Sequence, residues 1–132
     1  GRMRFPLSDP RMSDFADALD EVYRLAETHP GFVWRIPDAE AARQLGDLGH
    51  DDLTSATVSV WDSVEALHAY TFLSRHGHFL KHTRDWFDTV TGPQLVMWNV
   101  ARSSQPTFAE AFDRLALLKD RGPSDDAYGW PA

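Results

Sequence analysis

From Met12 onward, apolar residues recur every third or fourth position: Met12, Phe15, Ala18, Leu19, Val22, Leu25 and Ala26 fall on one stripe. That spacing predicts an amphipathic helix, starting after the Ser8-Asp9-Pro10 signal and ending between Thr28 and Gly31. The period then changes to two. Phe32 to Ile36 reads as a short strand closed by Pro37. Leu53 to Trp61 reads as a longer strand, in which Ala56, Val58 and Val60 alternate with Ser55, Thr57, Ser59 and Trp61. Between the two, Ala39 to Leu45 has the spacing of one or two helical turns, while Gly46, Gly49 and Asp51-Asp52 read as loop.

Asp62-Ser63 followed by Glu65 marks another helix entry, which leads into His68–Phe87, HAYTFLSRHGHFLKHTRDWF. On a helical projection Phe72, Leu73, Phe79, Leu80, Trp86 and Phe87 share one face, with His76 and Thr83 in its middle. His78 and His82 point away, beside Lys81 and Asp85, and Gly77 is a point at which the helix divides. After the Thr91-Gly92-Pro93 turn comes a strand over Gln94 to Val100. A last helix carries Phe108, Ala111, Phe112, Leu115 and Leu118 on one face and stops at Gly122-Pro123. The tail from Asp125 to Ala132 keeps two large aromatics, Tyr128 and Trp130.

With a strand stub at Met3–Leu7, the order β-α-β-β-α-β predicts an α+β fold: a ferredoxin-like antiparallel sheet with the helices on one face. Residues 3–132 form one expected domain, and Gly1-Arg2 ahead of Met3 resembles an expression-tag remnant. The helical stripes cover one sheet face only. The other, carrying Trp61, is expected to be buried against a second copy in a homodimer.

Composition narrows the function classes. A chain of 132 residues with a net charge of −7 repels nucleic-acid phosphates. It contains no cysteine, hence no disulfide, no thiolate chemistry and no cysteine zinc site. No run approaches the roughly 18 apolar residues of a membrane span, so a soluble cytoplasmic protein is expected. Five Trp and eight Phe suit a dense core or an aromatic-lined pocket.

His76, a titratable ring on an apolar stripe, is the first candidate for chemistry, as a general acid or base. Its place among Phe72, Phe79 and Trp86 also suits a haem ligand. His78 and His82 have metal-ligand spacing but lack a third ligand. If Ala56, Val58 and Val60 meet the helices, then Ser55, Thr57, Ser59 and Trp61 face a cavity, and Arg35 joins them from the preceding strand. On the last strand Leu95, Met97 and Asn99 alternate with Val96, Trp98 and Val100, and either set fits the cavity face. There is no glycine-rich phosphate loop, nucleophile elbow or paired-carboxylate pattern.

The phrases PLSDPRM, PGFVWRI, VSVWDSVEALHAY, RHGHFLKHTRDWF, QLVMWNV and QPTFAEAFDRLALLKDRGP, in that order, resemble the domain-of-unknown-function family 3291. The family is similar to the dimeric α/β-barrel, antibiotic-biosynthesis-monooxygenase-like proteins. Its members usually begin with a full first strand, of which this chain shows only Met3 to Phe5. The resemblance implies a subunit that dimerises sheet to sheet around a cavity. Joined to the residues above, it gives a first expectation: a metal-free, cofactor-free monooxygenase-, cyclase- or isomerase-like biosynthetic enzyme acting on a phenolic or polyketide-like substrate. His76 would move the proton and Arg35 hold the developing oxyanion. Trp34, Ser55, Thr57, Ser59, Trp61, Phe72, Trp86, Trp98 and Asn99 would bind the substrate. A non-catalytic dimer holding a small aromatic ligand is the second expectation, and a haem protein ligated by His76 the third.

Overall fold

The computed structural model describes residues 1–73, 83–88 and 92–130. A 3₁₀ turn at Pro10–Met12 is capped by Asp9, whose carboxylate accepts from Arg11 N–H at 2.9 Å. It feeds α1, Ser13–Thr28, which buries Phe15, Ala18 and Ala26. Met12 and Phe15 close a first core with Met3, against which Phe5, Leu19, Trp86 and Phe87 pack. Gly31 (φ 89°) then turns the chain into β1, Phe32–Arg35. A Cβ there would stand 2.4 Å from the Ala66 Cβ, so both the backbone and the space require glycine.

The segment after β1 settles as α2, Asp38–Asp47, with Asp38 and Glu40 in its first turn, where the helix dipole favours them. Next comes β2, Ser59–Trp61, antiparallel to β1 in the register Phe32↔Trp61, Trp34↔Val60, Arg35↔Ser59, with a bulge between Phe32 and Trp34. Ser63 caps α3, Val64–His68, by accepting from Ala66 N–H at 3.1 Å. A π-helical turn follows at Ala69–Leu73. Beyond it lie α4, Thr83–Trp86, and α5, Phe108–Arg121. The last begins with a Thr107/Glu110 capping pair and ends at Gly122.

The mixed helix-and-strand character follows the sequence pattern, whereas the sheet among the described residues is smaller than the pattern predicts. Of Leu53–Trp61 only Ser59–Trp61 is strand; Thr54 makes an isolated antiparallel bridge to Arg2. Gln94–Val100 forms no strand, and Met97 bridges Tyr128 of the tail. Strand character requires a hydrogen-bonded neighbour as well as alternation. Among the described residues none pairs Gln94–Val100 with β2.

The helices also do not lie on a single face. Trp34 and Ile36 pack with Val58 and Phe108, beside Ala41 and Leu45 of α2 and Ala111 and Phe112 of α5. The adjacent Arg35 turns the opposite way, onto Tyr23 and Glu27 of α1. Thus α1 covers one face of the small sheet, and α2 with α5 the other. Gln44 joins the latter two, its Oε1 accepting from Phe108 N–H at 2.8 Å.

Candidate functional site

An open cleft of about 1450 Å³ lies between β2 and Gln94–Val100. Its walls are α1 (Phe15, Leu19, Val22), the extended run from Thr54 to Trp61, the run from Gln94 to Val100, and α5 (Ala111, Phe112, Leu115). The tail closes part of one side through Tyr128 and Trp130. This volume exceeds the roughly 300–1,000 Å³ usual for a small-molecule pocket.

Most of the residues expected from the sequence meet here. Ser55, Thr57, Ser59 and Trp61 line the cleft from one wall, Trp98 and Asn99 from another, and Phe72 and Trp86 from the helical side. Not all of their polar groups are open to a ligand. Trp61 Nε1 already donates to Ser59 Oγ (2.9 Å), and Asn99 Oδ1 accepts from the Tyr128 hydroxyl (3.0 Å). Ser55 and Thr57 have no side-chain hydrogen bond to a described residue. Trp98 Nε1 is buried without a partner among the described residues, and Arg114 lies over its ring, 5.7 Å from the centroid.

The other expectations divide. Trp34 does not line the cleft, because alternation in β1 turns it into the α2–α5 core. Arg35 lines it but is committed: Nε donates to Glu27 and Nη1 to Asp38, both at 2.8 Å, and the guanidinium stacks on Tyr23, 4.1 Å from the ring centroid. With its side chain 17% exposed and two carboxylates attached, Arg35 ties α1 to the start of α2 rather than presenting a free cation. His76, the expected acid or base and alternative haem ligand, lies outside the described residues, as do His78 and His82. Among the described residues no group of three or more His, Asp or Glu is placed to hold a metal.

Tyr70 organises the aromatic end, although the sequence reading did not single it out. Trp61 stacks on it at 5.0 Å between centroids, with Phe32 edge-on to Trp61 at 5.4 Å and His29 edge-on to Tyr70 at 5.8 Å. The Tyr70 hydroxyl donates to Val22 C=O at 3.0 Å. Burial, then the neighbouring Tyr23, raise its pKa far above the usual tyrosine range, so it remains a neutral donor. The available signal was the register, since Tyr70 follows Val64 and Leu67 on the same apolar stripe. Farther out, Phe72 meets His68 at 4.8 Å and Trp130 at 5.2 Å.

The charged groups on the walls are unevenly committed. Arg2 pairs with Asp51 and Asp62 with Arg102, whereas Lys119 has no opposite charge within ion-pair distance among the described residues. Among the described residues the cleft therefore offers hydroxyls, aromatic faces and, in Lys119, a side-chain cation with no carboxylate partner.

The family model described as "Domain of unknown function (DUF3291)" matches residues 1–132. The chain belongs to the DUF3291 family. Comparison with curated proteins and with solved structures returned no match. Family membership adds no reaction to the geometry, so function is argued from the DUF3291 cleft itself. Among the described residues no helix is long and apolar enough to cross a membrane.

Proposed function

We propose that this DUF3291 domain binds a small, flat, largely apolar molecule bearing a hydroxyl or acidic group, such as a phenol. One observation carries the reading: the open hydroxyls of Ser55 and Thr57 and the rings of Trp61 and Trp98 line a single cleft. Aromatic walls supply contact area at low entropic cost, hydroxyls orient the polar end, and Lys119 favours an anion. Arg35 does not enter this role, because Glu27 and Asp38 occupy it. Turnover of the ligand as a monooxygenase, cyclase or isomerase is a further step of the proposal that rests on His76. The binding reading does not need it.

The same proposal includes a ferredoxin-like arrangement completed by a homodimer. Its support is the exposed apolar surface at Phe72 (45% exposed), which lines the cleft, and at the next residue, Leu73 (79% exposed). Titration with 2-naphthol, followed by tryptophan emission and calorimetry, tests the ligand reading. Saturable binding that weakens at least about tenfold in Trp61→Leu is expected, a loss of about 1.4 kcal/mol. Non-saturable partition, or equal binding by the variant, would sink it. Sedimentation at micromolar concentration tests the dimer, and a species of one chain mass would remove it.

A further inference from the structure

The chemistry of the cleft is sorted along its length. An extended run rises about 3.3 Å per residue, so the wall from Ser55 to Trp61 covers at most about 20 Å. At one end its polar groups are open: Ser55 and Thr57 line the cleft with hydroxyls that make no side-chain hydrogen bond to a described residue. Lys119 stands at the same end, and Gly1 links the two. The Gly1 ammonium donates to Ser55 C=O at 2.7 Å, and burial, then the nearby Lys119, hold its pKa below the ordinary value. Among the described residues Lys119 has no carboxylate within ion-pair distance, whereas Arg2, another cation on this wall, is held by Asp51.

Around Trp61 the polar groups are engaged instead. Trp61 Nε1 donates to Ser59 Oγ and the Tyr70 hydroxyl to Val22 C=O. Ser63 Oγ accepts from Ala66 N–H, and Asp62 pairs with Arg102. What this end offers is ring surface: Trp61 lies on Tyr70, and Phe72 meets Trp130 with centroids 5.2 Å apart. A charged ligand group placed here would lose its water and gain no partner. At the Ser55 end the same group meets two hydroxyls and a cation. A bicyclic phenol is too short to occupy both ends at once.

We propose that the cleft takes an elongated aromatic carboxylic acid in one orientation, its carboxylate at Lys119, Ser55 and Thr57 and its rings at the Trp61–Trp130 end. The inference rests on the ligand reading above and deepens it, from a flat molecule with one polar group to an acid whose charge and rings are held apart. Lys119 and the two hydroxyls set the sign and the place of the charge. Trp61 and Phe72 supply the contact surface for the rings, and Trp130 bounds that end. Distance between acid and rings, rather than ring size alone, is then what the site selects.

Calorimetric titration with 2-naphthoate, 2-naphthylacetate and its butanoate homologue, each beside its methyl ester, tests the orientation. The ratio of acid to ester affinity cancels the gain from the added methylene groups. In the parent chain this ratio is expected to reach at least about tenfold and to be largest for the butanoate, whose acid and rings stand farthest apart. Lys119→Gln should abolish the ratio and leave the esters within about twofold, while Lys119→Arg keeps it. Nuclear Overhauser contacts should join the naphthyl protons to Trp61 and Phe72. With 2-naphthol bound saturably, three results would each overturn the inference and leave the ligand reading standing: equal acid and ester affinity, an unchanged ratio in Lys119→Gln, or rings lodged beside Ser55. No saturable binding of any probe, 2-naphthol included, would end both.

Discussion

The hydroxyl of Tyr70 donates to the main-chain carbonyl of Val22 in the middle of α1, 3.0 Å away, and pins the π-helical turn after α3 against that helix. Because burial raises the Tyr70 pKa above its ordinary 10.0, the folded chain holds this proton after the unfolded chain has lost it. Stability from Tyr70 is therefore complete below about pH 10 and declines as pH rises towards the folded-state value. Tyr70→Phe is expected to flatten this alkaline decline while costing about 0.5–1.5 kcal/mol at neutral pH. Urea unfolding across the alkaline range measures both, and a variant with the wild-type alkaline slope would show that another group is responsible.

Gly31 is held by two independent constraints, a positive φ and the close approach of Ala66. Alanine there adds about 1 kcal/mol of backbone strain and about 1–3 kcal/mol of overpacking. Gly31→Ala should thus lose about 2–4 kcal/mol. The paired change Gly31→Ala with Ala66→Gly should recover the packing part and leave the backbone part. Full recovery in thermal unfolding would contradict the backbone argument.

Local signals carried much of this structure. The stripe through Phe15 and Ala18, the Ser63 cap and the Gly122 stop are written in neighbouring residues, and each appears where the pattern places it. Ser55, Thr57, Ser59 and Trp61 line the cleft, but so do Ala56, Val58 and Val60, so alternation alone did not separate a cleft face in this largely non-strand run. What was not legible depends on partners distant in sequence. Whether Leu53–Trp61 and Gln94–Val100 become strands depends on a hydrogen-bonded neighbour, which their own alternation does not supply. Arg35 lines the cleft, as alternation predicts, but its partners were not legible. With α1 on one side of the sheet and α2 and α5 on the other, its guanidinium is taken up by Tyr23, Glu27 and Asp38.

At the acid end, Asp9 accepts from the Arg11 side chain and main-chain N–H, and these bonds lower its pKa from 3.8 to about 2. A depressed carboxylate contributes stability that is present above its unfolded pKa and lost as pH falls through the folded one. The window is therefore about pH 4 down to pH 2. Asp9→Asn keeps a capping oxygen but removes the charge, so the variant should lose less stability than the parent across that window. Acid titration of ellipticity, with Asp9→Asn beside the parent, reads the difference; identical curves would refute it.

Arg35 separates a tether from a ligand-holding cation. Its guanidinium uses two different nitrogens on two carboxylates, Glu27 of α1 and Asp38 at the start of α2, and lies flat on the Tyr23 ring. Lysine keeps the charge but cannot reproduce the fork or the stacking. The partners are largely exposed, so the loss falls below that of a fully buried pair: about 1–2 kcal/mol for Arg35→Lys, and more for Arg35→Met. As a tether, Arg35 should affect stability and leave 2-naphthol affinity within about twofold, about 0.4 kcal/mol. The opposite split, with unchanged unfolding and at least about tenfold weaker binding in both variants, would return Arg35 to the ligand. Calorimetric titration and denaturant unfolding on the same preparations decide between the roles, because a side chain shared by two helices and one turned into the cleft cannot give the same pair of results.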